Sequence, residues 1–342
     1  MGIEESESDM SGGAIAYHLR ENKAIERNLF IDLLARIGRV KNISEYTYSG
    51  FGGPFLEDFK AIHSALRITK MHSIEMDANV WRRQAFNSPS AFITLHNCKS
   101  GDFLRSHEFA DGNIVWLDHT SPKGLYEKLS DFKLLVGKLG KYDVAKITLN
   151  ANAVTLGCSD PENGPAQRLK KLVDRLGDFG HGELEEDDVL PRRYPATLMR
   201  AVQSAVGRLA TRKSGEYFQP LSAFVYQDGL HQMLTVTGVI LDAKNDQDKE
   251  DFLAKSRFDH WPFKNLDWSP PLIISVPALS TKERMKLDAA LPVGKDLKAG
   301  DYLVSTLGYC PSEVGGETNA KLLLANYAMF YRAYPLFSRV VL

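Results

Sequence analysis

Leu56, Phe59, Ile62 and Leu66 recur at helical spacing directly after an aromatic, β-branched run at 45–48 and the turn Ser49-Gly50-Phe51-Gly52-Gly53-Pro54. Strand, glycine turn and helix are therefore predicted in that order. Upstream, Ile15, Leu19, Ile25, Leu29, Phe30, Leu33, Leu34 and Ile37 trace an apolar stripe, one long helix or two over 14–37 that packs on a sheet. Downstream, strands are predicted at 71–77, 91–96, 113–117 and 144–149. The run Ile114-Val115-Trp116-Leu117 is continuously apolar, as in a parallel strand buried on both faces. Asp77 is placed to cap a helix carrying Val80, Trp81, Gln84 and Phe86. A helix over 196–212 shows Leu198, Val202, Ala205 and Leu209 on one side. Two strand patterns at 221–227 and 233–240 flank Asp228-Gly229 as a β-hairpin. The stretch 242–255 reads as a charged linker, and Trp261, Phe263 and Trp268 among prolines read as an irregular segment with aromatic anchors. Ser280 or Thr281 starts a helix, and Ala320, Tyr327, Phe330, Tyr334 and Phe337 mark a last one with an aromatic face. The pattern alone yields an α/β doubly wound sheet that closes with an antiparallel pair.

Residues 2–13 are acidic, serine-rich and nearly free of large apolar groups, which predicts a disordered acidic tail over 1–13. The main α/β domain then runs over 14–242, with a helical, charged insertion at 163–215, and a C-terminal extension over 243–342 packs on it. With 342 residues, 44% hydrophobic and 25% charged, the chain is long enough for one large domain with additions. A formal net charge of −1 removes any global attraction to nucleic acid or membrane, so a basic surface has to be local. Cys98, Cys158 and Cys310 lie far apart without a paired spacing, the pattern of reduced thiols in a cytoplasmic protein, and no metal site is implied. No apolar run reaches bilayer length, so no membrane partner is expected. Gly2 to Ser6 formally fits a myristoylation pattern, but the acidic flank makes coincidence the better reading.

Candidate chemistry gathers at the predicted carboxyl ends of the strands, where open α/β sheets bind ligands. Gly50, Gly52 and Gly53 let backbone approach a ligand, and the following helix N-terminus favours negative or polar ligand atoms. A third glycine of the dinucleotide fingerprint is missing, since Phe55 stands there, which disfavours a nicotinamide or flavin oxidoreductase. Glu75, at the end of the second strand, is placed either to accept from ribose hydroxyls or to stand as a strand-end carboxylate in water. Asp102 is placed either to accept from an adenine amine or to start the next helix. Asp118, His119 and Thr120 end the fourth strand, either as the reacting group or as a polar turn closed by Pro122. Arg20, Lys23 and Arg27 form either a solvated helix face or phosphate and substrate contacts at the mouth of the site. Arg168, Lys171, Arg175, Arg200, Arg208 and Arg212 leave open a solvated face or a local nucleic-acid ridge.

The glycine turn after the first strand, the acids Glu75, Asp102 and Asp118 after the next three, and the closing hairpin resemble the class I S-adenosylmethionine-dependent methyltransferases over about 43–242. The segments 50–58 and 116–122 are similar to uncharacterised bacterial proteins of that class. The resemblance implies a Rossmann-like seven-stranded, mostly parallel sheet with an antiparallel last strand, helices on both faces and a helical C-terminal extension. It also implies S-adenosylmethionine as cofactor, with Gly50, Gly52 and Gly53 at its methionine part, Glu75 at the ribose and Asp102 at the adenine. Asp118, His119 and Thr120 would then line the acceptor pocket, Asp118 accepting from the acceptor, His119 serving as base and Thr120 orienting. The segment 118–122 has a loose likeness to tRNA guanine-N2 dimethyltransferases, from which it departs by His119 where those have proline. The arginine-bearing helices favour a nucleobase amine as acceptor, with nucleic acid or nucleotide, or a protein, as partner. Tyr48 replaces the acid the family carries two places before the first glycine. The alternative is therefore a catalytically inactive methyltransferase-like binding or regulatory subunit.

Overall fold

A computed structural model of the chain describes residues 20–157, 164–180, 182–207, 215–242, 246–311 and 315–335. The predicted acidic tail, Ile15, Leu19, Cys158, Arg208, Leu209, Arg212 and Phe337 lie outside the described residues.

Eight strands form one sheet: β1 (Thr47–Gly50), β2 (Lys70–Glu75), β3 (Ile93–Asn97), β4 (Asn113–Asp118), β5 (Val144–Asn150), β6 (Glu216–Asp228), β7 (His231–Asp242) and β8 (Leu272–Ile274). Their order is β3-β2-β1-β4-β5-β7-β6-β8. β1 to β5 pair in parallel and β7 runs antiparallel to β5. The expected seven strands and the antiparallel last one are present, and the three-residue β8 adds an edge. The order reverses between β1 and β4, which puts a switch point beside the glycine turn.

The α-helices are α1 (Glu21–Ile37), which precedes the sheet, α2 (Glu57–Leu66), α3 (Ala78–Asn87), α4 (Ser100–Ser106), α5 (Leu125–Lys138), α6 (Gly164–Leu176) and α7 (Tyr194–Gly207), then α8 (Asp246–Ser256), α9 (Thr281–Asp288), α10 (Ala299–Leu307) and α11 (Gly316–Phe330). Leu56, Phe59, Ile62 and Leu66 are all buried, as their spacing requires. On one face of the sheet Val115, Leu117, Ala145 and Ile147 pack with Leu129, Phe132 and Val136 of α5 and Leu198 and Val202 of α7. Burying these aliphatic side chains on one face of β4 and β5 supplies most of the drive for the parallel core, while the other face buries Trp116 against Lys146 and Thr148.

By contact the described residues fall into two compact units. The larger holds those within Ile31–Val225 and His231–Leu272, and carries the sheet's carboxyl-end turns. The smaller holds 20–30, Tyr226–Leu230 and 273–335. Within it α9 starts on a reciprocal cap between Ser280 and Glu283, as predicted. There Gly300 of α10 lies so close to α11 that a Cβ would sit 2.2 Å from the Lys321 carbonyl.

Two elements depart from the sequence reading. Residues 246–256 form a helix instead of a linker: Phe252 is a single buried anchor, stacked near Tyr142 and Phe258, and Asp248 holds Lys141 at 2.6 Å. Its apolar residues are the consecutive Phe252, Leu253 and Ala254, which set no helical period to read beforehand. On α3 the polar Gln84 is fully buried and Phe86 is 90% exposed, the reverse of the apolar pattern. No helix among the described residues is long and apolar enough to cross a membrane.

At the opposite, amino edge of the strands, the buried Asp143 accepts from the N–H of Gly112, Asn113 and Gly140 and from the Asn113 amide, at 2.7–3.0 Å. This carboxylate ties the start of β4 to the turn before β5. Replacing it strands buried donors, so Asp143→Ala should lower stability by about 3 kcal/mol, measured as the urea unfolding midpoint.

Candidate functional site

β1 stops at Gly50, which pairs with Ser73 of β2 and Trp116 of β4. β2 continues two residues further to Glu75 and β4 two further to Asp118. Two rungs at the carboxyl edge therefore lack their middle strand, leaving a notch flanked by Glu75 and Asp118. Two strand spacings set these carboxylate-bearing positions about 10 Å apart. Both side chains leave on the face shared by Ser73 and Trp116, because residues two apart on a strand point the same way. The backbone of 50–56 crosses the notch as the glycine turn.

Each glycine has its own reason to be there. A Cβ on Gly50 would lie 2.9 Å from the Tyr48 hydroxyl and 3.2 Å from the Trp116 carbonyl. A Cβ on Gly52 would lie 2.3 Å from Leu56 and 2.7 Å from the Ser73 hydroxyl, so the protein itself fills that space. Gly53 differs: it is left-handed with φ +51°, and a Cβ there would meet nothing within 4 Å. It is where the turn opens away from protein. Leu56, left-handed as well, closes the turn with its N–H on the Gly52 carbonyl at 2.9 Å.

Glu75 is half-buried, and burial pushes its carboxyl above the usual range, opposed by the Asp77 N–H it accepts at 2.8 Å. Asp77 caps α3 through the N–H groups of Asn79 and Val80, as expected. Asp102 lies in the first turn of α4, exposed and paired with Arg105 at 2.7 Å. Tyr48, standing where the resemblance calls for an acid, is buried edge-on against Phe59.

The structure separates Asp118 from His119. Alternation turns His119 to the other face, where its ring meets Phe51 of the glycine turn edge-on, 5.2 Å between centroids. Its backbone N–H holds the Thr148 carbonyl at 3.1 Å. The Nε2 is buried without a hydrogen-bond partner, and burial, with Lys128 nearby, lowers the imidazole pKa to about 3. Such a ring is neutral near pH 7 and a weak base. Thr120 is exposed, and its carbonyl accepts from the Asn150 amide at 3.0 Å. Asn150, Phe51, Ser73 and Gln84 were not singled out from sequence. A strand ending in Asn150 and the place of Gln84 in the pattern of the helix capped by Asp77 were the only signals for any of them.

Arg20, Lys23 and Arg27 belong to the smaller unit. Arg20 and Lys23 both pair with Asp228, the last residue of β6, and Arg27 donates to Tyr226 and Glu26. Of the arginines read as a nucleic-acid ridge, Arg200 pairs with Asp188. Cys98 and Cys310 are free thiols.

The match to known proteins comes from one family model, described as "Putative O-methyltransferase", which covers residues 15–342. Among curated proteins no relative matches. Among solved structures the plantazolicin methyltransferase BamL, in complex with a desmethyl-plantazolicin analogue and SAH, is 12% identical over 65% of this chain and 88% of its own, at TM-score 0.36. The plantazolicin methyltransferase BpumL with SAH is 8% identical over 65% and 87%, at 0.37. The Methanococcus jannaschii fibrillarin pre-rRNA processing protein is 11% identical over 57% and 66%, at 0.31.

Two outcomes follow from the geometry. Gly52→Ala should cost about 2 kcal/mol through overpacking, seen as a lower melting temperature, whereas Gly53→Ala meets no clash and should cost about 1 kcal/mol through its left-handed backbone. For His119, an unfolded chain takes up the proton near pH 6.5 while the folded site resists to about 3. The folded state binds fewer protons, so its stability is full above about pH 6.5 and is lost as pH falls towards 3. Urea midpoints at pH 7 and pH 5 should therefore fall less in His119→Gln than in the wild type.

Proposed function

The chain belongs to the O-methyltransferase family whose model spans residues 15–342, and on that premise we propose that it is an S-adenosylmethionine-dependent methyltransferase with a hydroxyl-bearing acceptor. The observation that carries the reading is the notch at the switch point, with a carboxylate on either side and Gly53 opening out of it. When bound, S-adenosylmethionine supplies an electrophilic methyl group on a cationic sulfonium.

The residues present fit that group. Glu75 offers a carboxylate oxygen to ribose hydroxyls while its other contact, the Asp77 N–H, keeps it aimed. The missing side chain at Gly53 admits the methionine part, with Gly50 and Gly52 making the tight bend around it. Asp102, in the first turn of α4, is the adenine contact in this reading and would share its carboxylate with Arg105. Asp118 accepts a hydrogen bond from the acceptor O–H, holding a lone pair towards the notch, so its contribution is positioning and charge. Thr120 orients the acceptor from the rim. His119, neutral and with its Nε2 unpartnered, packs edge-on beside Phe51 as part of the wall and does not serve as the base.

An oxygen acceptor follows the family's description. The nucleobase amine suggested by the arginine-bearing helices draws less support now that Arg200 is engaged with Asp188. Arg20 and Lys23, read from the sequence as substrate contacts, are both engaged with Asp228 within the smaller unit. The reading as an inactive binding subunit rests on Tyr48, whose buried ring occupies the place of an acid.

Calorimetric titration separates the two. S-adenosylhomocysteine should bind the wild type. Glu75→Ala should weaken it at least tenfold, from loss of a charge-assisted hydrogen bond of about 2 kcal/mol, and Asp118→Ala should stay within twofold. Absence of heat with both the cofactor and its demethylated product would overturn the enzymatic reading.

A further inference from the structure

α3 carries a polar side chain where its pattern calls for an apolar one. Gln84 is fully buried. Its amide oxygen accepts from the Ser73 hydroxyl of β2 at 3.1 Å, and its amide nitrogen donates to the Gly53 carbonyl at 2.9 Å. One turn on, the Asn87 amide donates to the Pro54 carbonyl at 2.9 Å. An aliphatic side chain of the same volume would fill this space without desolvating an amide. What the amide adds is direction.

Direction matters because the Gly53–Pro54 peptide has no N–H, so its carbonyl is the only group by which it can be held. Gly53 itself, with φ +51° and no side chain, has no steric preference to keep it in place. The trans peptide after Pro54 turns the Phe55 N–H away from α3 once Asn87 holds the Pro54 carbonyl. The same helix is seated at its other end by Asp77, whose N–H holds Glu75. α3 therefore links the ribose-side acid to the glycine turn as one strut.

We propose that Gln84 is a positioning residue for the methionine half of the cofactor, setting the Gly53 peptide against β2, an inference that rests on the methyltransferase reading above. Glu75 serves the adenosine half and Gln84 the amino-acid half, so the two should be separable with ligand fragments. The probes are S-adenosylhomocysteine, which carries both halves, and 5′-methylthioadenosine, which lacks the amino acid.

Gln84→Glu keeps an acceptor for Ser73 but removes the donor to Gly53. It should weaken S-adenosylhomocysteine at least tenfold by calorimetry while methylthioadenosine stays within twofold, whereas Glu75→Ala should weaken both. Ser73→Ala, which removes only the hydroxyl, should give a loss of about threefold, confined to S-adenosylhomocysteine, and stands in should Gln84→Glu not fold. Equal weakening of both ligands, or unchanged affinity for S-adenosylhomocysteine in a folded variant, overturns the proposal. If the wild type binds neither ligand, the methyltransferase reading fails by itself. Amide hydrogen exchange then decides the clamp: faster exchange confined to residues 52–56 in Gln84→Met sustains it, and unchanged exchange there overturns it.

Discussion

The absence of a side chain at Gly52 is the constraint on which the site depends. Leu56 and the Ser73 hydroxyl occupy the volume a Cβ would need, at 2.3 and 2.7 Å. That contact lets the chain leave β1 two rungs before its neighbours end and bend over the edge into α2. With β1 short and β2 and β4 long, Glu75 and Asp118 face each other across a gap that no strand fills. A bulkier residue would push the turn off β2.

Burial then divides labour among the ionisable groups. Half-burial raises the Glu75 carboxyl, and the Asp77 N–H that it accepts limits the rise. His119 is held neutral by a stronger version of the same desolvation, and on the same face of the sheet His72 is lowered to about 4 by burial and by His107 and His96. Adjacent residues Asp118 and His119 thus have different chemistry because strand alternation sends them to different surroundings. The carboxylate stays at the notch, and the imidazole becomes part of the wall that joins the β1 and β4 turns through Phe51.

Polar groups that look alike in the chain diverge in the same way. Arg20, Lys23 and Arg27 lie at the start of one helix with a spacing that suggests a common face, and the folded chain gives two of them to Asp228 and the third to Tyr226 and Glu26. Asp77 and Asp102 both open helices, but only Asp77 accepts the free N–H groups of its helix. In each case the partner lies far away in sequence or depends on a backbone angle, so charge and spacing leave the outcome open.

The glycine turn, the five parallel strands, the closing hairpin and the caps at Asp77 and Ser280 were legible because each has a local cause: period, backbone freedom or a side chain bonding its own helix. The positions of Glu75 and Asp118 at strand ends were legible for the same reason. Strand register was not, and it alone places those two residues on one face of the same notch. Nor was the helix at 246–256, seated by one phenylalanine, or the exchange of roles between Gln84 and Phe86. A buried amide is favourable only when a hydroxyl and a carbonyl from two other segments, here Ser73 and Gly53, arrive to satisfy it, and that meeting exists only in the folded chain.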